Sequence, residues 1–284
     1  MPGLLPGGFP SLRPGWRALL YYLALSAAYS AARWALPGAT GPLARGFLFL
    51  AVILGVTGVF LALEGRGFAS LGLAPRRAFP ARFLLGLLAG AAILGASALA
   101  ARAGGGFRFT RGTGTAAAIL GPGTLLFLLT AVNEELAFRG YLFQRLEDAL
   151  GPRGALVLTA LLFAAAHQAN PGLEGALRLR ATLTILAAGL LLGLAFQRTR
   201  SLALPMGLHF GWNWTQGTLL GFGVSGTAPP GILRPVLDGR SAWLTGGAFG
   251  LEGGLPCLLF CLIACLILVH ACPLVQVTGK KSHI

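Results

Sequence analysis

Eight apolar runs punctuate the chain, near 16–36, 47–63, 83–101, 123–145, 154–169, 181–197, 201–222 and 255–271, and Arg, Gly and Pro gather between them. Most approach the ~20 residues that a helix needs to cross the hydrocarbon core of a bilayer. The run at 154–169 is short, and the one at 123–145 is long with a polar end, so the pattern sets these boundaries least sharply. The expected fold is all-α: a polytopic transmembrane helical bundle of about eight membrane helices, in a single membrane domain spanning residues 1–284. Residues 1–115 supply N-terminal helices whose ionisable groups fall in loops or at helix ends. Residues 116–222 hold the polar groups expected to be buried, and form the expected catalytic core. Residues 223–284 comprise a Gly/Pro-rich loop, without helical periodicity over 223–254, and then the last helix.

Composition strengthens this picture. Hydrophobic residues make up 55% of the 284, charged residues only 11%, and mean hydropathy is +0.75; a soluble domain carries about 25% charged residues. The 43 glycines, with abundant Ala, suit close packing of membrane helices through small residues. A formal net charge of +14 raises nucleic acid as a partner, but the basic residues are scattered through the loops rather than gathered into a patch, as Arg66, Arg76, Arg77 and Arg82 show. The lipid bilayer is their expected partner, and nucleic acid is not. Lys and Arg in alternate loops are slightly more numerous on the side of the N-terminus, which favours both termini in the cytoplasm. The N-terminal residues lack a charged segment followed by an apolar one, so no cleaved signal peptide is expected. Of 22 basic residues only Lys280 and Lys281 are lysine, and this Ala-, Gly- and Arg-rich composition points to a high-GC bacterium. The expected location is therefore the bacterial inner membrane, as an integral multi-pass protein.

Cys257, Cys261 and Cys265 share one helix face, with Cys272 just beyond. They are expected to pack as small apolar groups, with no disulfide framework. His270 and His283, at the end of the last helix and in the polar tail, are given no role.

Two adjacent acids stand out against this background. Only 8 residues are acidic, and Glu134 and Glu135 lie together in a stretch otherwise nearly free of polar groups. A carboxylate near the middle of a membrane helix costs roughly 2.5–3.5 kcal/mol on insertion scales, so as a rule it faces a cavity or a partner. Glu135 and Arg139 are four apart on one face with the acid first, the favourable order for an ion pair. Glu134 is rotated by about 100° from Glu135, so it is left to face something else. Two further helices repeat the one-turn spacing, in Phe163-Ala-Ala-Ala-His167 and His209-Phe-Gly-Trp-Asn213. Each pair alone has a structural reading, as an ion pair joining helices, a core histidine, or an amide and imidazole orienting their neighbours.

Three helices that each place polar groups at membrane depth together favour chemistry. A Glu beside a His can deprotonate water, and a second His with Asn supplies donors for a developing oxyanion. That set suits hydrolysis of an amide bond. Glu134, His167 and His209 equally form a ligand set for zinc with an open water position, although no His-Glu-x-x-His helix is present. A scaffold and a transporter carrying protons on Glu134 are the other readings; a transporter would show inverted repeats with broken helices, and none is visible. Convergence of Glu134, His167, His209 and Asn213 on one water-accessible cavity would favour the enzyme.

In the order Glu134-Glu135-Leu-Ala-Phe-Arg139, Phe163-Ala-Ala-Ala-His167 and His209-Phe-Gly-Trp-Asn213, the chain resembles the CPBP family. That family groups CAAX prenyl endopeptidases, bacteriocin-processing proteins and Abi-type membrane proteins. Arg139-Gly140 with Leu142-Phe-Gln144, Leu71-Gly72-Leu73, and the segment from Trp243 to Glu252 are similar to it too. The resemblance runs in outline over 65–284 and specifically over 130–215. It implies an eight-helix intramembrane endopeptidase acting on a protein or peptide substrate, with Glu134 as general base assisted by His167. His209 and Asn213 would stabilise the oxyanion, while Glu135 and Arg139, with Phe163, would support the site. No cofactor is expected, zinc at Glu134, His167 and His209 being the metal-dependent alternative. The inactive alternative is a bacteriocin-immunity or scaffold membrane protein.

Overall fold

The computed structural model describes residues 9–73, 77–239 and 242–271. Arg76, Arg240, Cys272, Lys280, Lys281 and His283 lie outside the described residues. The long helices are α1 (Pro14–Ala35), α2 (Pro42–Leu63), α3 (Phe79–Ala103), α4 (Ala116–Glu135), α5 (Phe143–Ala166), α6 (Gly175–Thr199), α7 (Ala203–Asn213) and, after the single turn α8 (Ala242–Thr245), α9 (Leu255–Ala271). Proline opens α1, α2 and α3, where its missing N–H would have had no partner. The Thr115 side chain caps α4 by accepting from the Ala118 amide at 3.3 Å.

All eight apolar runs fall on helices, so the all-α membrane bundle holds. Pro42–Leu63, Phe79–Ala103, Ala116–Ala166 and Gly175–Thr199 are long and apolar enough to cross a membrane, and Leu255–His270 is apolar but shorter. Trp16 and Trp34 are exposed 18 positions apart on α1, about 27 Å along a helix, which suits aromatic anchors at the two faces of a bilayer. Leu84, Leu85, Leu88 and Leu99 of α3 and Leu259 and Leu266 of α9 are exposed in the same lipid-facing manner.

The boundary between the fourth and fifth runs differs from expectation. The polar stretch between them is helical, and Ala116–Ala166 is one continuous path. It bends through a π-helical segment, Leu136–Leu142, in which Gly140 adopts ψ −115°, and again at Gly151, with φ +73°, before Pro152. Two other features were not legible as periodicity. The strand β1 (Phe107–Arg111) pairs antiparallel with β2 (Leu233–Leu237), from Phe107 opposite Leu237 to Arg111 opposite Leu233. The 223–254 segment, expected as loop, thus contains a strand, α8 and short 3-10 turns at Gly247–Phe249 and Leu251–Gly253. Five-residue strands are too short to show above the helical pattern; β1 is held by Phe107 and Phe109 packing on Phe222.

One buried ionic cluster lies outside the motifs. Glu64, at the end of α2, accepts from Arg17 of α1 at 2.6 Å and from the Tyr141 hydroxyl at 2.6 Å. Arg145 is buried on α5 within 3.7 Å of the same carboxylate.

Helix α7 is fixed by close backbone approach to α3. Gly86 and Gly90 face Gly207 and Gly211, and a Cβ on Gly211 would fall inside the van der Waals radius of the Leu87 carbonyl. Gly211→Ala is therefore expected to destabilise the protein by about 1–3 kcal/mol through overpacking. Thermal melting in detergent checks this; an unchanged melting temperature would refute the tight crossing.

Candidate active site

The π-helical segment sets the geometry of the first motif. Glu135 ends α4, and its Oε1 accepts from Arg139 Nη1 at 3.0 Å, keeping the one-turn pairing across the bend. Both side chains are fully buried. The Arg139 guanidinium reaches α6 through a hydrogen bond to the Gly189 carbonyl at 3.1 Å and lies 4.6 Å over the Phe163 ring of α5. Arginine suits this place because its planar fork bonds and stacks at once. Glu135, Arg139 and Phe163 thus join α4, α5 and α6.

The same carboxylate orients a histidine. Glu135 Oε1 lies 2.9 Å from His209 Nδ1; a carboxylate only accepts, so Nδ1 carries the proton. His167 is not within α5, as its spacing from Phe163 suggested, but caps its C-terminal end. Its Nδ1 donates to the Phe163 carbonyl at 2.7 Å, and the two rings lie 4.5 Å apart. Each imidazole therefore turns Nε2 toward one place, and Glu134 occupies it. Glu134 Oε2 stands 3.8 Å from Nε2 of His167 and 3.8 Å from Nε2 of His209. That oxygen is buried without a hydrogen-bond partner, while the Glu134 side chain as a whole is 24% exposed. The 3.8 Å separations exceed a direct hydrogen bond, as groups acting through a shared water or substrate would.

Glu134, His167, His209 and Asn213 line one cavity of about 1000 Å³, bounded by α1, α2, α4, α5, α6, α7 and the 224–230 loop. Asn213, one turn beyond His209, is buried within it. The four candidates thus share a single cavity; Phe163 lines it as well, and the buried Glu135–Arg139 pair supports it from behind. Zinc ligands at about 2.0–2.1 Å in tetrahedral array would stand about 3.3 Å apart. Among the described residues no group of three His, Cys, Asp or Glu side chains is already spaced as metal ligands. Cys257 and Cys261 are buried free thiols on the far helix, as expected of packing residues.

Two charged cavity residues have no place in the three motifs. Glu252 is buried yet lines the cavity, its Oε1 accepting from both the amide and the hydroxyl of Ser225. Arg45, near the start of α2, lines it as well. As one of 8 acids set in a Gly-rich segment, Glu252 carried a compositional signal but no periodic one.

Residues 116–215 match the family model described as type II CAAX prenyl endopeptidase Rce1-like. That region contains all seven motif residues, and the family resemblance read from them holds over it. No curated protein and no solved structure gave a match. Residues 116–215 are thus similar to the CAAX-protease type, and the long apolar helices suit an integral membrane protein.

Proposed function

We propose that the chain is an intramembrane endopeptidase that cleaves a peptide bond of a membrane-associated protein or peptide with water activated by Glu134. The observation that carries this is the convergence of one carboxylate oxygen without a hydrogen-bond partner with two imidazole Nε2 atoms, each at 3.8 Å, in one cavity. A neutral His167 imidazole with protonated Nδ1 offers a lone pair there, so a water held between it and Glu134 lies between two acceptors and readily gives up a proton. Glu134 takes that proton, with His167 assisting. The oxygen of the water attacks the carbonyl carbon, and its C=O becomes an oxyanion. His209, protonated at Nε2 and backed by Glu135, donates to that oxygen together with the Asn213 side-chain amide. Glu134 then returns the proton to the leaving nitrogen as the C–N bond breaks. Glu135, Arg139 and Phe163 hold the geometry.

This convergence favours an enzyme over an immunity or scaffold protein, which has no need of a polar cavity joining three helices. The partners in this reading are a protein or peptide substrate and the lipid bilayer, not nucleic acid, and the setting is a bacterial inner membrane. The reaction proposed is metal-independent, with zinc at Glu134, His167 and His209 as the competing version. Cleavage of a quenched membrane-peptide substrate by purified protein in nanodiscs, compared with Glu134→Gln, tests the assignment. Cleavage is further expected to persist after extraction with a chelator; loss that zinc alone restores would establish the metal-dependent version.

A further inference from the structure

The segment 224–230 walls the same cavity through Val224, Ser225, Thr227 and the apolar tip Ala228, Pro229 and Pro230. Its shape is held from three sides. Val224 and Thr227 exchange backbone hydrogen bonds at 2.8 and 2.9 Å, closing it into a tight turn. Ser225 sits at φ +49°, in the left-handed region that a side chain disfavours, and such a conformation persists only where its surroundings impose it. Here Glu252 imposes it, accepting from the Ser225 amide and, at 2.9 Å, from its hydroxyl. The other Glu252 oxygen lies 3.4 Å from Trp212 Nε1, on the helix turn that carries His209 and Asn213. Gly226 completes the anchoring: its amide donates to the Phe249 carbonyl at 3.1 Å, and its α-carbon lies against the Pro171 carbonyl, in the turn that follows His167.

We infer that Glu252 is a positioning residue for substrate, fixing segment 224–230 as the wall against which an apolar part of the substrate is bound. This rests on the peptidase reading above. The carboxylate touches neither Glu134 nor the histidines at bonding distance; it acts through Ser225. Loosening it should therefore weaken substrate binding and leave the chemical step nearly intact.

Steady-state cleavage of an apolar peptide in nanodiscs, with hydrogen exchange read at the amides of 224–228, tests the inference on Glu252→Ala, Glu252→Gln and Gly226→Ala. Glu252→Ala should raise KM about tenfold with kcat within about threefold of wild type, and should speed exchange across the segment. Glu252→Gln keeps an oxygen that accepts from Ser225, so its KM should fall between the two. Gly226→Ala, whose methyl would collide with the Pro171 carbonyl, should reproduce the KM effect without touching Glu252. Unchanged KM in both alanine variants, a loss confined to kcat, or unaltered exchange would overturn the inference. If Glu252→Ala fails to fold, the other two variants decide. Absence of cleavage by the wild-type protein would instead count against the peptidase reading, and the exchange measurement would still judge the clamp.

Discussion

Replacing Glu134 by Gln is expected to reduce cleavage by a factor of about a hundred to ten thousand, the usual contribution of a positioned general base. Gln preserves the size and one acceptor oxygen of the side chain, so substrate should still enter and bind. What is lost is a group able to take a proton from water and return it to the leaving amine. Stability gives the second half of the expectation. Glu134 Oε2 is buried without a hydrogen-bond partner, and a carboxylate drawn partly out of water costs stability. Removing that charge should leave the melting temperature unchanged or raise it, the sign expected where a site trades stability for activity. Full activity in the variant would sink the glutamate mechanism. A fall in activity that tracks a fall in melting temperature would reassign Glu134 to structure.

The candidate site was legible in the sequence because its polar groups follow helix periodicity. Glu135 with Arg139, Phe163 with His167 and His209 with Asn213 are each four residues apart, the spacing of one helical turn, and polar groups at that spacing in an apolar run are hard to overlook. The rotation between Glu134 and Glu135 predicted their separate environments, and one indeed meets Arg139 while the other meets two histidines. The π-helical bend at Leu136–Leu142 left no such mark, since an apolar segment reads alike in α and π form; only Gly140 hints at it. The β1–β2 pair joins residues more than a hundred positions apart, beyond the reach of any local pattern. Glu252 was missed as a cavity residue for a related reason. Its partners Ser225 and Trp212 lie 27 and 40 positions away, and neither spacing follows from a helix or strand period.

Arg139→Leu is expected to be the most destabilising single change near the site. It strands the fully buried Glu135 and removes both the bond to Gly189 and the contact with Phe163. Breaking one partner of a buried ion pair costs about 3–5 kcal/mol, a large part of a total stability of roughly 5–15 kcal/mol. The melting temperature should fall by about 6–20 °C, at 2–4 °C for each kcal/mol in a chain of this size. Removing both charges separates structure from chemistry. A Glu135→Leu/Arg139→Leu double variant leaves no unpaired buried charge, so its stability should recover toward wild type. Its activity should not recover, because His209 Nδ1 then has no carboxylate to hold the ring with Nε2 facing Glu134. Glu135→Gln with Arg139 intact retains an acceptor for both partners and should fall between. Calorimetry in detergent with peptide cleavage on the same preparations checks the set. A double variant less stable than Arg139→Leu, or one that regains cleavage, would show that the buried pair does not act as a support for His209.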